Sequence, residues 1–395
     1  MIARHALFLA IRSLRHAWRR NALLALALGL ALGVPLALTA LLDRASVDMR
    51  TRAASAPLVL GARGSESDLV FGGLFFAATP PRGLVPQDLA RVEGDALATA
   101  VPIALGATAG KAPVVGTSID YFDRRSLRPA AGAMFATIGE CVVGSDAARA
   151  LALAPGARIF TDPASLSDLA GVFPLELTVS GVLPRTRSPD DGAIFVDLPT
   201  MWTIRGLGHR HDDPRDAAEP GALIGEDGPR AIAGEALRIE RAATDGIAAD
   251  FHFHGDTQAF PIDAALVYPI DAKAQAILLG RFTGKGETLH LVRPDLFIDR
   301  VLERIFGVGR ILGGVAIAVA ALVLLVAATT FALSIRLRAD ELALMERLGA
   351  SRARVAAFLA AEAALVLAAA SAVAAVVALT APLLAPLVMR LTTGG

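Results

Sequence analysis

Four histidines fall in two short pairs: His209 and His211 in Gly-His-Arg-His-Asp-Asp, and His252 and His254 in Phe-His-Phe-His-Gly-Asp. In a strand alternate residues share a face, so His252 and His254 project together with Phe251 and Phe253 behind them. Two imidazoles completed by His209, His211, Asp212, Asp213 or Asp256 form a donor set suited to Zn²⁺ or Cu²⁺. The same residues read equally as a polar strand face beside a solvated loop. His290 is the fifth histidine of this region. Glu362 lies inside an apolar run, where a carboxylate needs a partner; Arg352, Arg354 or a second protein are the candidates. Cys141, the lone cysteine, sits in Glu-Cys-Val-Val-Gly and reads as a buried packing residue, unable to form a disulfide within the chain. Gly61-Ala-Arg-Gly and the segment 280–286 lack the Gly-x-x-x-x-Gly-Lys-Ser/Thr of a phosphate-binding loop, so no ATP site is expected here. No Ser/His/Asp set has a nucleophile-elbow context, and the chain is not expected to be an enzyme or to bind a cofactor beyond that Zn²⁺.

The elements that carry these residues are set by hydropathy. Of 395 residues 54% are hydrophobic, and the apolar ones concentrate at the two ends. The run Val308–Leu333, broken by Arg310, is long enough at about 1.5 Å per residue to cross a hydrocarbon core of roughly 30 Å. Ala22–Leu42 is a second such run with Gly29, Gly33 and Pro35 inside it, and a third begins at Val355. Ala25, Gly29 and Gly33 share one helix face, as close helix packing in a bilayer requires. Residues 2–20 put Leu7, Ile11, Leu14 and Trp18 on one face and Arg4, Arg12, Arg15 and Arg19 on another, the pattern of an interfacial helix. Five arginines and no acid precede Asn21, whereas Asp43–Ile305 holds 26 Lys/Arg against 34 Asp/Glu. Arg336, Arg338, Arg347, Arg352 and Arg354 crowd the segment between the second and third runs. Basic residues next to membrane ends mark the cytoplasmic side, which puts the N-terminus and that connector inside and the acidic domain outside. With a formal net charge of zero there is no basic field for nucleic acid.

In the connector, Leu342, Met345 and Leu348 repeat at helical spacing, acids alternate with arginines, and Gly349 supplies a left-handed stop. Arg-Ala-Asp-Glu-Leu-Ala-Leu-Met-Glu-Arg-Leu-Gly-Ala-Ser-Arg, residues 338–352, followed by an apolar helix with Glu362 near its start, resembles the coupling-helix motif of FtsX-like permeases, the membrane subunits of the MacB, LolC/LolE and FtsX group of ABC transporters. The resemblance implies that Asp340, Glu341, Leu342, Met345, Glu346, Arg347, Leu348 and Gly349 contact a separate ABC ATPase subunit. It also implies pairing with a second permease copy, as homodimer or heterodimer, residence in the inner membrane, and a periplasmic partner.

Between the first two spans, short β-branched runs such as Val101-Pro-Ile-Ala-Leu, Cys141-Val-Val-Gly and Leu177-Thr-Val-Ser-Gly-Val-Leu alternate with helical stretches at 86–92 and 145–153, an α+β reading. Gly116-Thr-Ser-Ile-Asp-Tyr-Phe, Val142-Val-Gly-Ser and Thr178-Val-Ser-Gly-Val-Leu in this order resemble the extracytoplasmic domain of MacB-type permeases. Residues 206–246 read as a polar loop or variable subdomain. The expected organisation is an amphipathic helix at 1–21, a first span at 22–42, an extracytoplasmic α+β domain with stalk helices at 43–306, a second span at 307–334, the coupling helix at 335–353, a third span at 354–381 and a tail at 382–395. Two short spans in place of the third would need a turn that only Ala and Ser supply, so three spans are expected here where the family usually has four, a departure that leaves the number of spans open. Three roles remain open: a permease moving an unnamed substrate, a regulatory mechanotransmitter, or a membrane-anchored metal-binding module.

Overall fold

The computed structural model describes residues 2–162, 174–210, 223–227, 230–233, 251–253, 255–284 and 286–393. The chain runs through α1 (Ile2–His16), α2 (Trp18–Ala54), β1 (Leu58–Ala62), α3 (Glu66–Phe75), α4 (Pro86–Glu93), β2 (Ala98–Ala109), β3 (Ala112–Thr117), α5 (Ile119–Arg124), β4 (Ala131–Gly132), β5 (Glu140–Val143), α6 (Ser145–Ala150) and β6 (Arg158–Phe160). It continues through β7 (Glu176–Val182), β8 (Ile194–Val196), α7 (Leu198–Ile204), β9 (Gly208–Arg210), β10 (Leu223–Asp227), β11 (Arg230–Ala233), β12 (Phe251–Phe253), β13 (Ala264–Pro269), α8 (Ala272–Arg281) and β14 (Leu289–Val292). It ends with α9 (Pro294–Leu337), α10 (Ala339–Arg347) and α11 (Arg352–Thr393). Two compact units result, Met49–Asp299 and the pair of segments Met1–Asp48 and Arg300–Gly395.

The first unit is built on a ten-stranded mixed sheet ordered β14-β1-β13-β2-β3-β8-β5-β7-β4, with β6 added along β7. All pairs are antiparallel except β3 with β8 and β5 with β7. β1 is buried along its whole length and β13 over Ala264–Val267, so these central strands read as continuous apolar runs rather than alternating ones. Helices α3, α4, α7 and α8 pack on the sheet. Their starts follow capping rules: Ser65 Oγ accepts from Asp68 N at 3.2 Å, and Asp197 and Asp271 cap α7 and α8 from their side chains. The sequence expectation of helices at 86–92 and 145–153 corresponds to α4 and α6.

The second unit holds three helices long and apolar enough to span a membrane, within Trp18–Ala54, Pro294–Leu337 and Arg352–Ala381. The third apolar run is one uninterrupted helix, because nothing in it breaks the backbone ladder before Pro382. A Cβ on Gly29 would lie 2.6 Å from Val373 Cβ, and one on Gly33 would lie 2.9 Å from Ala374 Cα. The small-residue face of α2 is thus filled by α11, with Ala25, Leu28 and Ala370 buried beside it. The amphipathic segment ends sooner than its pattern suggests: α1 stops at His16, a turn at Ala17 follows, and Trp18 opens α2.

Candidate functional site

α10 is a nine-residue helix with a backbone break at each end. Arg338 leaves helical geometry at φ −105, ψ 16, and Gly349 takes φ +96, a left-handed value that glycine adopts without steric cost. The chain is closed there by Gly349 N donating to Glu346 O and Ala350 N donating to Met345 O, both at 3.0 Å. No residue of α10 is buried. Asp340, Glu341, Glu346, Arg347, Leu348 and Gly349 are exposed, whereas Leu342 and Met345 are half-buried. The stripe Leu342–Met345–Leu348 is therefore split. The large apolar side chains presented outward are Leu348, 80% exposed, and Leu344, 56% exposed and absent from the sequence-derived contact set. Leu344 stands four residues before Leu348, whereas Leu342, Met345 and Leu348 stand three apart; both spacings are helical, so the sequence carried no sign of which stripe faces out.

Glu362 is 3% exposed on α11. Its carboxylate accepts from Arg338 Nη1 at 3.1 Å (Oε1) and 3.3 Å (Oε2), and from Ser13 Oγ of α1 at 2.5 Å. Arg338 Nε donates to Glu341 Oε2 at 3.2 Å, and the guanidinium carbon lies 5.6 Å from the centre of the Phe358 ring. The expected partners Arg352 and Arg354 are not used: they precede Glu362 on the same helix by eight to ten residues, about 12–15 Å along the axis, beyond the reach of an arginine. A related bond joins Arg20 Nη1 to Ser334 Oγ at 2.6 Å.

The histidine segments do meet. β9 pairs antiparallel with β12, with His209 directly opposite His252 and Gly208 opposite Phe253. Phe253 stands edge-on to Trp202 and Phe260, with centroids 6.2 and 5.9 Å away. His211, His254, Asp212 and Asp213 lie outside the described residues, and Asp256 caps a short turn by accepting from Gln258 N at 2.9 Å. Among the described residues no group of three or more His, Cys, Asp or Glu is placed to hold a metal. His290 lies opposite Gly61 at the outer strand β14, and burial holds its imidazole below the usual value despite the charge of Glu66. Cys141 is buried in β5, where desolvation and the nearby Glu140 push its thiol up to about 12, an inert packing group.

A cavity of about 440 Å³ opens between the β2 bulge and the α7 end, touched by Arg82, Thr108, Asp162, Arg205 and Asp263. Its charges mostly serve the fold. Arg205 is paired with Asp263 and donates to Pro261 O at 2.9 Å. Asp162 accepts from Thr108 Oγ1, Gly110 N and Lys111 N at 2.7–3.1 Å, bonds that outweigh its desolvation and hold its carboxyl below the usual range.

One cluster had no sequence signal. Arg52, 4% exposed, forms a two-bond pair with Asp190 and donates to Tyr121 Oη at 3.1 Å and to Leu74 O. Arg125 adds a second cation at 2.9 Å from Asp190. Burial raises the Tyr121 hydroxyl well above its ordinary value, so it stays protonated and donates to Asp190 Oδ1.

The sequence profile of the MacB-like periplasmic core domain matches residues 22–225. Among solved structures, the periplasmic region of MacB from Actinobacillus actinomycetemcomitans aligns over 63% of this chain and 94% of its own, at 11% identity and a TM-score of 0.35. The extracellular domain of the noncanonic ABC-type transporter YknZ from Gram-positive bacteria aligns over 60% of this chain and 98% of its own, at 13% identity and a TM-score of 0.32. No curated protein matches the sequence.

Proposed function

Because the chain belongs to the MacB-like periplasmic core domain family, we propose that it is the permease subunit of an ABC-type transporter, with α10 as the docking element for a separate ATPase subunit. The observation that carries this reading is α10 itself: a short helix between two span-length helices, free of buried residues, offering Leu344 and Leu348 amid Asp340, Glu341, Glu346 and Arg347. Two outward leucines ringed by charges suit an apolar groove with a polar rim. Positive charge around α10 supports a cytoplasmic position for it and an extracytoplasmic one for the Met49–Asp299 unit. ATP hydrolysis then resides in the partner, and this chain converts closure of the ATPase into movement of its helices and outer unit, whether to move a substrate or to control a periplasmic partner. A second permease copy completes the assembly.

The test is partner capture. Tagged wild-type chain and Leu344→Glu/Leu348→Glu are purified in detergent, and co-purifying proteins are identified by mass spectrometry. An ATP-binding subunit is expected with wild type and is expected to be lost from the variant; no ATPase with either would sink the reading.

A second reading, an accessory Zn²⁺ site in the outer unit, is favoured by the register that sets His209 opposite His252. Calorimetric Zn²⁺ titration of the full chain beside His209→Ala and His252→Ala decides it, unchanged binding in both variants removing the idea.

A further inference from the structure

A nine-residue helix with a backbone break at each end, none of its residues fully buried and only Leu342 and Met345 half-buried, has little packing of its own to keep an orientation. Something else must set the angle of α10. The contacts at Arg338 do so: the residue at the first hinge is bonded forward to Glu341 in the opening turn of α10 and across to Glu362 of α11, while Ser13 of α1 holds the same carboxylate. A carboxylate in an apolar helix is tolerated when paired and costly when stranded. Swinging α10 away would carry off the cation of Glu362, so the penalty for opening the hinge is the penalty for stranding that charge.

We propose that Arg338, Glu362 and Ser13 form a clasp of positioning residues that makes α10 and α11 move as one body, so that a load on α10 enters the third span instead of being lost at the hinges. The mechanical consequence rests on the docking role of α10; the clasp itself is a property of this chain alone. α11 is also the helix against which Gly29 and Gly33 of α2 are seated, so a load that enters α11 reaches a second span by direct contact. The preceding helix α9 is adjacent in sequence but is separated from α10 by the Arg338 break.

The clasp is read by the distance distribution between nitroxide labels introduced through Leu344→Cys on α10 and Leu367→Cys on α11, in detergent-purified full-length chain. Cys141 can remain native because it is buried. The unsubstituted background is expected to give one narrow distribution. Glu362→Gln and Arg338→Gln are each expected to broaden it by about twofold, since each leaves one charge without its partner. The exchange Arg338→Glu/Glu362→Arg is expected to restore the narrow width. Unchanged width in the single variants overturns the clasp, as does an exchange variant no narrower than the singles. If the charge-removing variants fail to survive extraction, Arg338→Lys replaces them: it keeps the charge but loses the fork that reaches Glu341 and Glu362 together, and about half the broadening is expected. No change there overturns the proposal. The labels report on the chain without its ATPase, so a failed partner capture leaves this test standing, and an intact width leaves the capture test standing.

Discussion

Arg52 and Asp190 face each other through two bonds, Nη1 to Oδ2 at 3.1 Å and Nη2 to Oδ1 at 2.9 Å, with both side chains 3% exposed. They are 138 residues apart, and Arg52 lies in the last turn of α2, the helix that contains the first apolar span. Within the Met49–Asp299 unit the segment around Arg52 is therefore held by an internal ion pair and not by apolar contact alone.

Asp190→Asn is expected to lower the stability of this unit by about 3–5 kcal/mol, because it leaves Arg52 and Arg125 buried together without a counter-charge. Arg125→Gln should cost less, since Arg52 remains to neutralise Asp190. Unfolding followed by Trp202 fluorescence in detergent checks the order; Asp190→Asn unfolding at the wild-type midpoint would contradict it.

Substituting Gly33 with Leu should separate α2 from α11. The nearest obstacles to a new Cβ are Ala374 Cα and O, at 2.9 and 3.1 Å, and backbone atoms cannot rotate away. Overpacking of this kind costs about 1–3 kcal/mol. Gly314→Leu on α9, where a Cβ meets nothing within 4 Å, is the control. The thermal midpoint should fall for the first and hold for the second, and equal midpoints would argue against the contact.

What the sequence revealed and what it hid divide along physical lines. The spans, the strands β2, β5 and β7 and the stop at Gly349 were legible because each depends on composition or backbone preference within a short window. The partners of Glu362 and Arg52 were not. For Glu362 the sequence offers Arg352, Arg354 or a second protein, whereas the bonding cation arrives from a hinge 24 residues earlier, a pairing that exists only once α10 has folded back. Arg52 stands near Arg44 and Arg50 and nothing in residue type separates the buried one from its neighbours. The exposed stripe of α10 was not legible because leucines occur on two of its faces, and only packing decides that Met345 turns in and Leu344 turns out. The histidine pairs were visible as pattern, but the alignment of His209 with His252 depended on a strand pairing across more than forty residues.

Gly349→Ala tests the second hinge. A non-glycine residue at φ +96 is strained by roughly 1 kcal/mol or more, and the strain is relieved by fraying the bonds from Gly349 N and Ala350 N. Amide exchange across 345–350 is expected to rise by about fivefold in the variant, the population change that such an energy produces. Exchange at the wild-type rate would mean that the turn does not depend on the left-handed residue.

His290 should give the outer unit a pH dependence of definite sign. Its folded pKa is depressed, first by burial and also by Arg63, below an unfolded value of about 6.5. Between the two values the unfolded chain binds a proton that the folded chain refuses, so stability rises with pH across that window and is lost as pH falls through about 6.5 toward the folded value. His290→Phe removes the titrating group while keeping a ring opposite Gly61. The midpoint of wild type should drop between about pH 7.5 and about pH 5.5, and the variant should drop by less. An identical loss in both would assign the acid sensitivity to other groups.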